Sequence, residues 1–159
     1  MSLFRDLDSR PSQREMEAVK EWLLSKHVVH VMRDHPAHDM PILAGMWGMK
    51  LGSRRGLRAA LRALFLVILT RPYTYQVQEV SSADQALLEK YLWPLLAPLA
   101  LQHDSYQCQR FAKSHAWPSQ RAENEPNNYV GAPVALNGLL NQSCPIKCRP
   151  KQHPEWTLC

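Results

Sequence analysis

Two aspartates separated by one residue, Asp6 and Asp8, are the first side chains in the chain whose spacing suggests chemistry. They follow a short apolar start and precede a helix signal. In an extended backbone, residues i and i+2 point the same way, so both carboxylates can face one hard cation. Mg²⁺ or Mn²⁺ held by one or two carboxylates and by phosphate oxygens is common in nucleotide sites. The alternative is a solvated acidic turn, which the Asp-x-Asp pattern by itself favours.

A second polar cluster, residues 33–38, comes directly after the β-branched run His27–Met32, which predicts a buried strand. In open α/β sheets the ends of strands carry the sites. The candidates for substrate or phosphate contacts are therefore Arg33, Asp34, His35 and His38. The alternative is a hydrogen-bonded turn in which Asp34 pairs with Arg33, because titratable clusters also occur in structural networks.

A third cluster ends another apolar lead, where His103, Asp104, Ser105 and Tyr106 follow Ala100 and Leu101. His103 is a possible metal ligand, and a lone histidine is also commonly structural. From the residues alone, the general base of any reaction stays open among three carboxylates, which are those of Asp34, Asp84 and Asp104.

Small residues are interleaved with large apolar ones in the segment 41–50. Gly45 and Gly48 permit close backbone approach or a positive φ. Trp47, between them, either stacks on the face of a sugar or fills the core, and most buried aromatic rings only pack.

The elements that must position these groups are readable from capping and periodicity. Ser12 and Glu15 form a capping-box pattern that predicts a helix over Ser12–Ser25. An apolar stripe predicts a second helix over Leu57–Leu69, and a Ser82 or Asp84 cap predicts a third over Asp84–Trp93, broken or kinked at Pro94. The segment Tyr75–Val80 fits a short strand or an extended loop.

Composition restricts the class of protein. The chain has 159 residues, which suits a single domain over 1–159, and 45% of them are hydrophobic, which is enough for a core. The net charge of +5 is compatible with a phosphate-binding patch, but no nucleic-acid recognition motif is present. No apolar run is long enough to span a membrane, and the start is too polar for a signal peptide.

The four cysteines all lie in the last third of the chain, at positions 108, 144, 148 and 159. Their number and irregular spacing favour disulfides, in one of three pairings, over a zinc site. We therefore expect an irregular tail over residues 132–159 that is rich in cysteine and proline. The triplet Asn141-Gln142-Ser143 matches the N-glycosylation pattern, a common chance match that nevertheless agrees with a lumenal setting such as the Golgi.

The combined order of motifs is more specific than any one of them. Along the chain come DLDSR at residues 6–10, RDHP at 33–36, GMWG at 45–48, DQ at 84–85 and HDSY at 103–106. This order resembles a group of glycosyltransferase-like proteins with the GT-A type of nucleotide-sugar-dependent fold, over most of the chain from Phe4 to about Gly131. The resemblance implies an α/β or α+β domain with a mostly parallel sheet and flanking helices.

The resemblance also implies roles for the matching residues. Asp6, Asp8 and His103 would bind Mn²⁺ or Mg²⁺ and, through it, the diphosphate of a nucleotide-sugar donor; the acceptor, a glycan or protein, is unspecified. Asp84 would face the reaction centre, with Asp34 as another catalytic candidate. The residues expected to contact substrate are Arg10, Arg33, His35, Gly45, Trp47, Gly48 and Gln85.

One departure from the family's pattern concerns the half that precedes the Asp-x-Asp strand and normally binds the nucleotide. Here Met1 comes just before that strand, so we expect this half to be missing and a sheet edge to be exposed. The alternative function is therefore a non-catalytic, truncated paralogue that acts as an interaction module through the Arg54–Arg62 surface or the cysteine-rich tail.

Overall fold

Five strands form one mixed sheet in the computed structural model of this chain, which describes residues 1–50, 52, 58–59, 61–63, 66, 83–111 and 113–159. The spatial order is β1-β3-β2-β4-β5. The strands span β1 Ser2–Arg5, β2 Val29–Arg33, β3 Met46–Met49, β4 Ala100–Asp104 and β5 Ser114–His115.

The α/β content that the sequence predicts is confirmed, and the sheet is mixed rather than mostly parallel. β3 pairs antiparallel with both β1 and β2, whereas β2–β4 and β4–β5 are parallel. Because β3 reverses direction between its two neighbours, β1, β2 and β4 all run the same way. Their carboxyl ends therefore lie at the same end of the sheet. These ends carry the three motifs that begin at Asp6, Arg33 and His103.

The first helix, α1, spans Gln13–Leu24 and agrees with the prediction to within one residue at each end. Ser12 is its N-cap and accepts a hydrogen bond from the Glu15 amide, as the capping box predicts. The Glu15 carboxylate pairs with Arg5 instead of returning to the cap. This ion pair ties the start of α1 to the end of β1.

The two faces of the sheet are covered differently. On one face α1 packs through Ala18 and Trp22 against the side that includes His30, Met32 and Met46. The opposite face carries the larger apolar core, in which side chains of the sheet meet those of residues 88–96. This cluster contains Val28, Val29, Val31, Ile42, Trp47, Met49, Leu61, Leu88, Leu92, Leu96 and Ala100.

The helical segment that covers this second face is not one regular helix. It runs as α2 over Ala83–Leu87, a π-helical turn over Leu88–Leu92, α3 over Trp93–Leu96 and a 3₁₀ turn over Ala97–Leu99. Pro94 lacks an N–H and its ring conflicts with the carbonyl four residues earlier, which accounts for the irregular turn before it. The predicted helix is therefore present, but its irregular turn lies before Pro94, and the segment continues as a helix past Pro94 instead of ending at Trp93.

Part of the remaining sequence lies outside the described residues. Arg58, Ala59, Leu61–Ala63 and Leu66 are helical, in agreement with the predicted helix over Leu57–Leu69 as far as they reach. Residues 54–57 and the candidate strand Tyr75–Val80 lie outside the described residues.

The last third is irregular and closed by two disulfides, Cys108–Cys148 and Cys144–Cys159. These bonds select one of the three possible pairings and confirm the prediction of disulfides. They indicate an oxidising, secreted or lumenal environment. None of the helices in the described part of the chain combines the length and the hydropathy needed to cross a bilayer.

Candidate functional site

Arg33, the last residue of β2, is fully buried, and each of its guanidinium nitrogens donates a hydrogen bond to another residue of the protein. Its Nε donates to Asp104 at 2.6 Å, its Nη1 to the Pro41 carbonyl at 2.6 Å, and its Nη2 to Gln102 at 2.8 Å. The guanidinium also lies 4.2 Å from the centre of the Phe111 ring. Arg33 and Asp104 are partners in the strand register, so their ion pair joins the ends of β2 and β4.

Asp34 is the centre of a second buried network, on the α1 side of the sheet. Arg14 donates to both carboxylate oxygens at 2.9 Å, Ser105 donates at 2.6 Å and the Val130 amide at 3.0 Å. Arg121 lies 3.5 Å from the same carboxylate. These contacts occupy the lone pairs of Asp34, so a role as general base would require one of them to break.

His35 and His38, which follow Asp34, form a half-buried aromatic cluster with Tyr129. His35 lies 4.7 Å from Tyr129 and 5.5 Å from His38, measured between ring centres. Burial lowers the pKa of His35, and the charge of Arg121 lowers it further. Burial also lowers the pKa of His38 to about 4, and its Nδ1 accepts a hydrogen bond from the Asp34 amide. Both imidazoles are therefore neutral near pH 7.

The segment from Asp6 to Arg10 forms an exposed turn directly after β1. The Ser9 amide donates to the Asp6 carbonyl at 3.3 Å, and Ser9 accepts from Arg5 at 3.0 Å. The Asp8 carbonyl accepts from the Val134 amide at 2.8 Å, which fixes the turn against a later loop. The side chains of Asp6, Asp8 and Arg10 remain exposed to solvent.

The two glycines of the GMWG segment are both sites of close approach. The carboxylate of Asp6 lies against Gly45, where a Cβ would overlap it. A Cβ on Gly48 would lie 2.7 Å from Leu3 and 3.2 Å from the Trp22 ring, so Gly48 lets β1, β3 and α1 pack together. The expectation of close backbone approach is therefore confirmed at both positions.

A cavity of about 620 Å³ opens beside the Phe4 face of β1. The rings of Phe4 and Trp47 stack at 4.1 Å on this side. The cavity has three charged residues in its wall, Arg58, Arg62 and Asp84.

Asp84 and Gln85 connect this cavity to the loop before β3. Gln85 accepts from the Ala44 amide at 3.1 Å and donates to the Ile42 carbonyl at 2.6 Å. Asp84 is exposed and its carboxylate accepts from the Gln85 amide at 2.8 Å. Gln85 thus holds the loop that contains Gly45, while Asp84 faces the cavity.

His103 lies elsewhere, beneath α1 and fully buried. Its Nε2 lies 3.3 Å from the Glu21 carboxylate and its Nδ1 2.8 Å from Nε2 of His30. Because a carboxylate only accepts, His103 donates to Glu21 through Nε2 and accepts from His30 through Nδ1. Both ring nitrogens are used.

The structure consequently does not bring His103 together with Asp6 and Asp8. β4 is three strand positions from β1, which corresponds to about 14 Å. Among the described residues, no group of three or more His, Cys, Asp or Glu side chains is arranged to hold a metal ion. Of the other predicted residues, Asp6, Asp8, Arg10 and Asp84 are exposed, Gln85 is half-buried, and Gly45, Trp47 and Gly48 are buried, with Trp47 in the larger core. Arg33 and Asp34 are buried at the end of β2, next to the half-buried His35.

Sequence reasoning missed the basic partners of Asp34. Arg14 lies within an ordinary amphipathic helix and Arg121 within a loop, so neither has a local pattern that signals a buried ion pair. The one available signal was the Asp34–Arg33 proximity, and it suggested the wrong partner: Arg33 binds Asp104. No protein-family model, curated protein or solved structure matches the chain.

Proposed function

We propose that this chain is a metal-dependent glycosyltransferase-like domain that binds a nucleotide-sugar donor at the β1 edge of the sheet. The observation that supports this most directly is spatial. Asp6 lies on Gly45, and the same short loop is bonded through Gln85 to the helix that presents Asp84 to the 620 Å³ cavity. Asp6 itself lines the groove of about 510 Å³ on the α1 side of β1, and the loop that contains Ala44 and Gly45 connects it to the cavity that Asp84 lines.

The chemistry of the cavity wall suits such a donor. Arg58 and Arg62 supply guanidinium groups for the oxygens of a diphosphate, for which arginine is well suited. Phe4, which is 43% exposed, supplies a flat apolar face against which a base or a sugar ring can stack, while the buried Trp47 packs on its inner face. A volume of several hundred cubic ångströms is typical of a small-molecule site.

We assign the exposed carboxylates of Asp6 and Asp8 to a divalent cation of the Mn²⁺ or Mg²⁺ type; β1 ends at Arg5, so the two residues lie in a turn and not in the extended backbone that the sequence predicts. Such ions are commonly held by one or two protein carboxylates, with water and substrate phosphates as the remaining ligands. A bound cation would neutralise charge that develops on the diphosphate leaving group. Because His103 is engaged inside the protein, the proposed protein ligands are Asp6 and Asp8.

Asp84 is the carboxylate that we assign as general base for an acceptor hydroxyl. It is exposed at the cavity, and its only hydrogen bond among the described residues comes from the neighbouring Gln85 amide. Oxygen lone pairs are therefore open for a substrate proton, in contrast to the saturated carboxylate of Asp34. We place the protein in the Golgi or an equivalent lumen, since disulfides form in oxidising compartments.

Replacing Asp8 tests this assignment. Asp8→Ala removes one proposed metal ligand, so we expect Mn²⁺-dependent binding of the nucleotide-sugar donor to be lost. Asp39→Ala is the matched control, because Asp39 is also exposed and lies in a turn outside the proposed site. Equal donor binding by the Asp8 variant and the wild type would overturn the proposal.

A second candidate is a non-catalytic interaction module, and the exposed edge of the sheet favours it. Among the described residues, β1 has a neighbour on one side only, and Leu3 and Phe4 are 37% and 43% exposed. A groove of about 510 Å³ between β1 and α1 is lined by apolar side chains that include Met16 and Leu23. Folding that is independent of metal and nucleotide, with no effect of either on thermal stability, would favour this candidate.

A further inference from the structure

The segment Asn141–Ser143 carries the one motif that the proposed function does not use. Both Asn141 and Ser143 are exposed, and within the described part of the chain neither side chain has a hydrogen-bond partner. Two asparagines nearby differ in this respect. Asn127 accepts from the Gly138 amide at 3.0 Å, and Asn128 accepts from the Leu140 amide at 2.9 Å.

The segment is held firmly on both sides of Asn141. On the preceding side, Asn128 binds both backbone groups of Leu140. On the following side, the Gln142 carbonyl accepts from Tyr106 at 2.6 Å and from Arg121 at 2.9 Å. Asn141 is thus an exposed residue between two neighbours whose backbone groups are hydrogen-bonded. A group attached to the Asn141 amide would leave these hydrogen bonds intact.

The chemistry of the compartment agrees with modification at this position. The two disulfides of the tail indicate an oxidising, secreted or lumenal environment, and asparagine glycosylation is a modification of surface loops in secreted proteins. One of these disulfides begins at Cys144, directly after Ser143.

We propose that Asn141 is a site of N-linked glycosylation. The amide nitrogen Nδ2 forms a bond to the anomeric carbon of an oligosaccharide carried on a polyprenyl diphosphate. The bond between that carbon and the diphosphate oxygen breaks, the diphosphate leaves with the electron pair, and the amide gives up one proton. The Ser143 hydroxyl, two residues later, completes the acceptor pattern that the transferring enzyme requires. This inference is independent of the proposed transferase activity of the chain.

The experiment is to express the full chain behind a cleavable secretion leader in cultured animal cells and to measure its mass before and after peptide N-glycosidase treatment. We expect the enzyme to remove a glycan from the wild type and to convert Asn141 to aspartate. Asn141→Gln and Ser143→Ala should abolish the glycan, whereas Ser143→Thr, which keeps the hydroxyl, should retain it.

Two outcomes would overturn the inference. One is a secreted wild type that contains both disulfides but no glycan that the glycosidase removes. The other is a glycan that persists in Asn141→Gln, which would place the modification at another residue. Because the modification is read from mass, and the disulfides from the same spectra, a variant that folds poorly still gives an interpretable result.

Discussion

Asp34 and Asp84 are both aspartates in the predicted site, and their surroundings give them opposite properties. Asp34 is fully buried and receives hydrogen bonds from Arg14, Ser105 and the Val130 amide. Asp84 is exposed beside the cavity. Removing one partner of a buried ion pair leaves the other charge unpaired, which is costly, whereas an exposed carboxylate contributes little to stability.

We therefore expect Asp34→Asn to lower the free energy of unfolding by about 3–5 kcal/mol, because the buried charges of Arg14 and Arg121 lose their counter-charge. Asp84→Asn should unfold at nearly the wild-type denaturant concentration and lose sugar transfer. Urea denaturation followed by tryptophan fluorescence, together with a transfer assay on the same samples, measures both. A stable Asp34→Asn variant would contradict the structural role described here.

Gly45→Ala tests the contact between the GMWG segment and the first motif. The new Cβ would overlap the carboxylate of Asp6, so this side chain must move. We expect weaker Mn²⁺-dependent donor binding with little change in the free energy of unfolding, because the exposed carboxylate of Asp6 can turn away from the new Cβ. Gly138→Ala is the matched control, since its Cβ would lie 3.8 Å from Tyr129 in ordinary contact. Equal donor binding by both variants would separate Gly45 from the site.

The lowered pKa of His38 predicts that the free energy of unfolding depends on pH. Its pKa is lowered by burial from 6.5 to about 4, so below pH 6.5 the unfolded chain takes up a proton that the folded chain does not. The contribution of His38 is complete above pH 6.5 and is lost as the pH falls towards about 4, by about 3 kcal/mol in total.

The measurement is the free energy of unfolding of the wild type and of His38→Gln between pH 4 and pH 7.5 by urea denaturation. The wild type should lose stability relative to His38→Gln as the pH falls, because the variant lacks the titrating group. A difference that stays constant over this range would show that His38 does not titrate as the structure indicates.

At the scale of elements, local signals located some segments well and others not at all. α1 was predictable because the Ser12 cap and the apolar spacing both act within a few residues. β3 was not predicted, since Gly48 is a weak strand former and its place depends on Leu3 and Trp22, which belong to other elements. An irregularity near Pro94 was predictable, but the π-helical turn before it and the continuation of the helix past it were not.

The candidate site shows the same division. The roles of Asp6, Asp8 and Asp84 stay predictions from the sequence. Asp6 and Asp8 lie in the exposed turn after β1, and Asp84 lies in the wall of the cavity. The buried arginine contacts depend on pairings over many residues, such as Arg14 with Asp34 and Arg33 with Asp104. A single sequence holds no local trace of such pairings, so Arg33 and Asp34 looked equally suited to substrate and to structure.

The contribution of the two disulfides of the tail to the free energy of unfolding can be measured separately. They close loops with sequence separations of 40 and 15 residues. Loop-closure entropy predicts that Cys108→Ala/Cys148→Ala lowers the free energy of unfolding by about 4 kcal/mol, and Cys144→Ala/Cys159→Ala by about 3 kcal/mol. Urea denaturation of the two double variants measures these values, and equal stability of the wild type with and without reductant would contradict them.

At the scale of the whole molecule, the parallel ends of β2 and β4 are closed by buried ion pairs, while the β1 edge keeps its charged groups exposed. Arg33–Asp104 and Arg14–Asp34 fill the space where a ligand would lie in many open sheets. The cavity bordered by β1, β3 and α2 has Asp84 in its wall, and the groove between β1 and α1 has Asp6 in its wall. This division is the basis for placing the donor at the β1 edge.

The central claim is that the Asp6/Asp8 turn and the cavity beside Asp84 together bind a cation and a nucleotide diphosphate. The most direct measurement is a calorimetric titration of Mn²⁺ into the purified chain, alone and with uridine or guanosine diphosphate. We predict that one of these nucleotides tightens Mn²⁺ binding, because its phosphate oxygens complete the shell that two carboxylates begin. Mn²⁺ binding that neither nucleotide changes, or no binding at all, would contradict the claim and favour the interaction module.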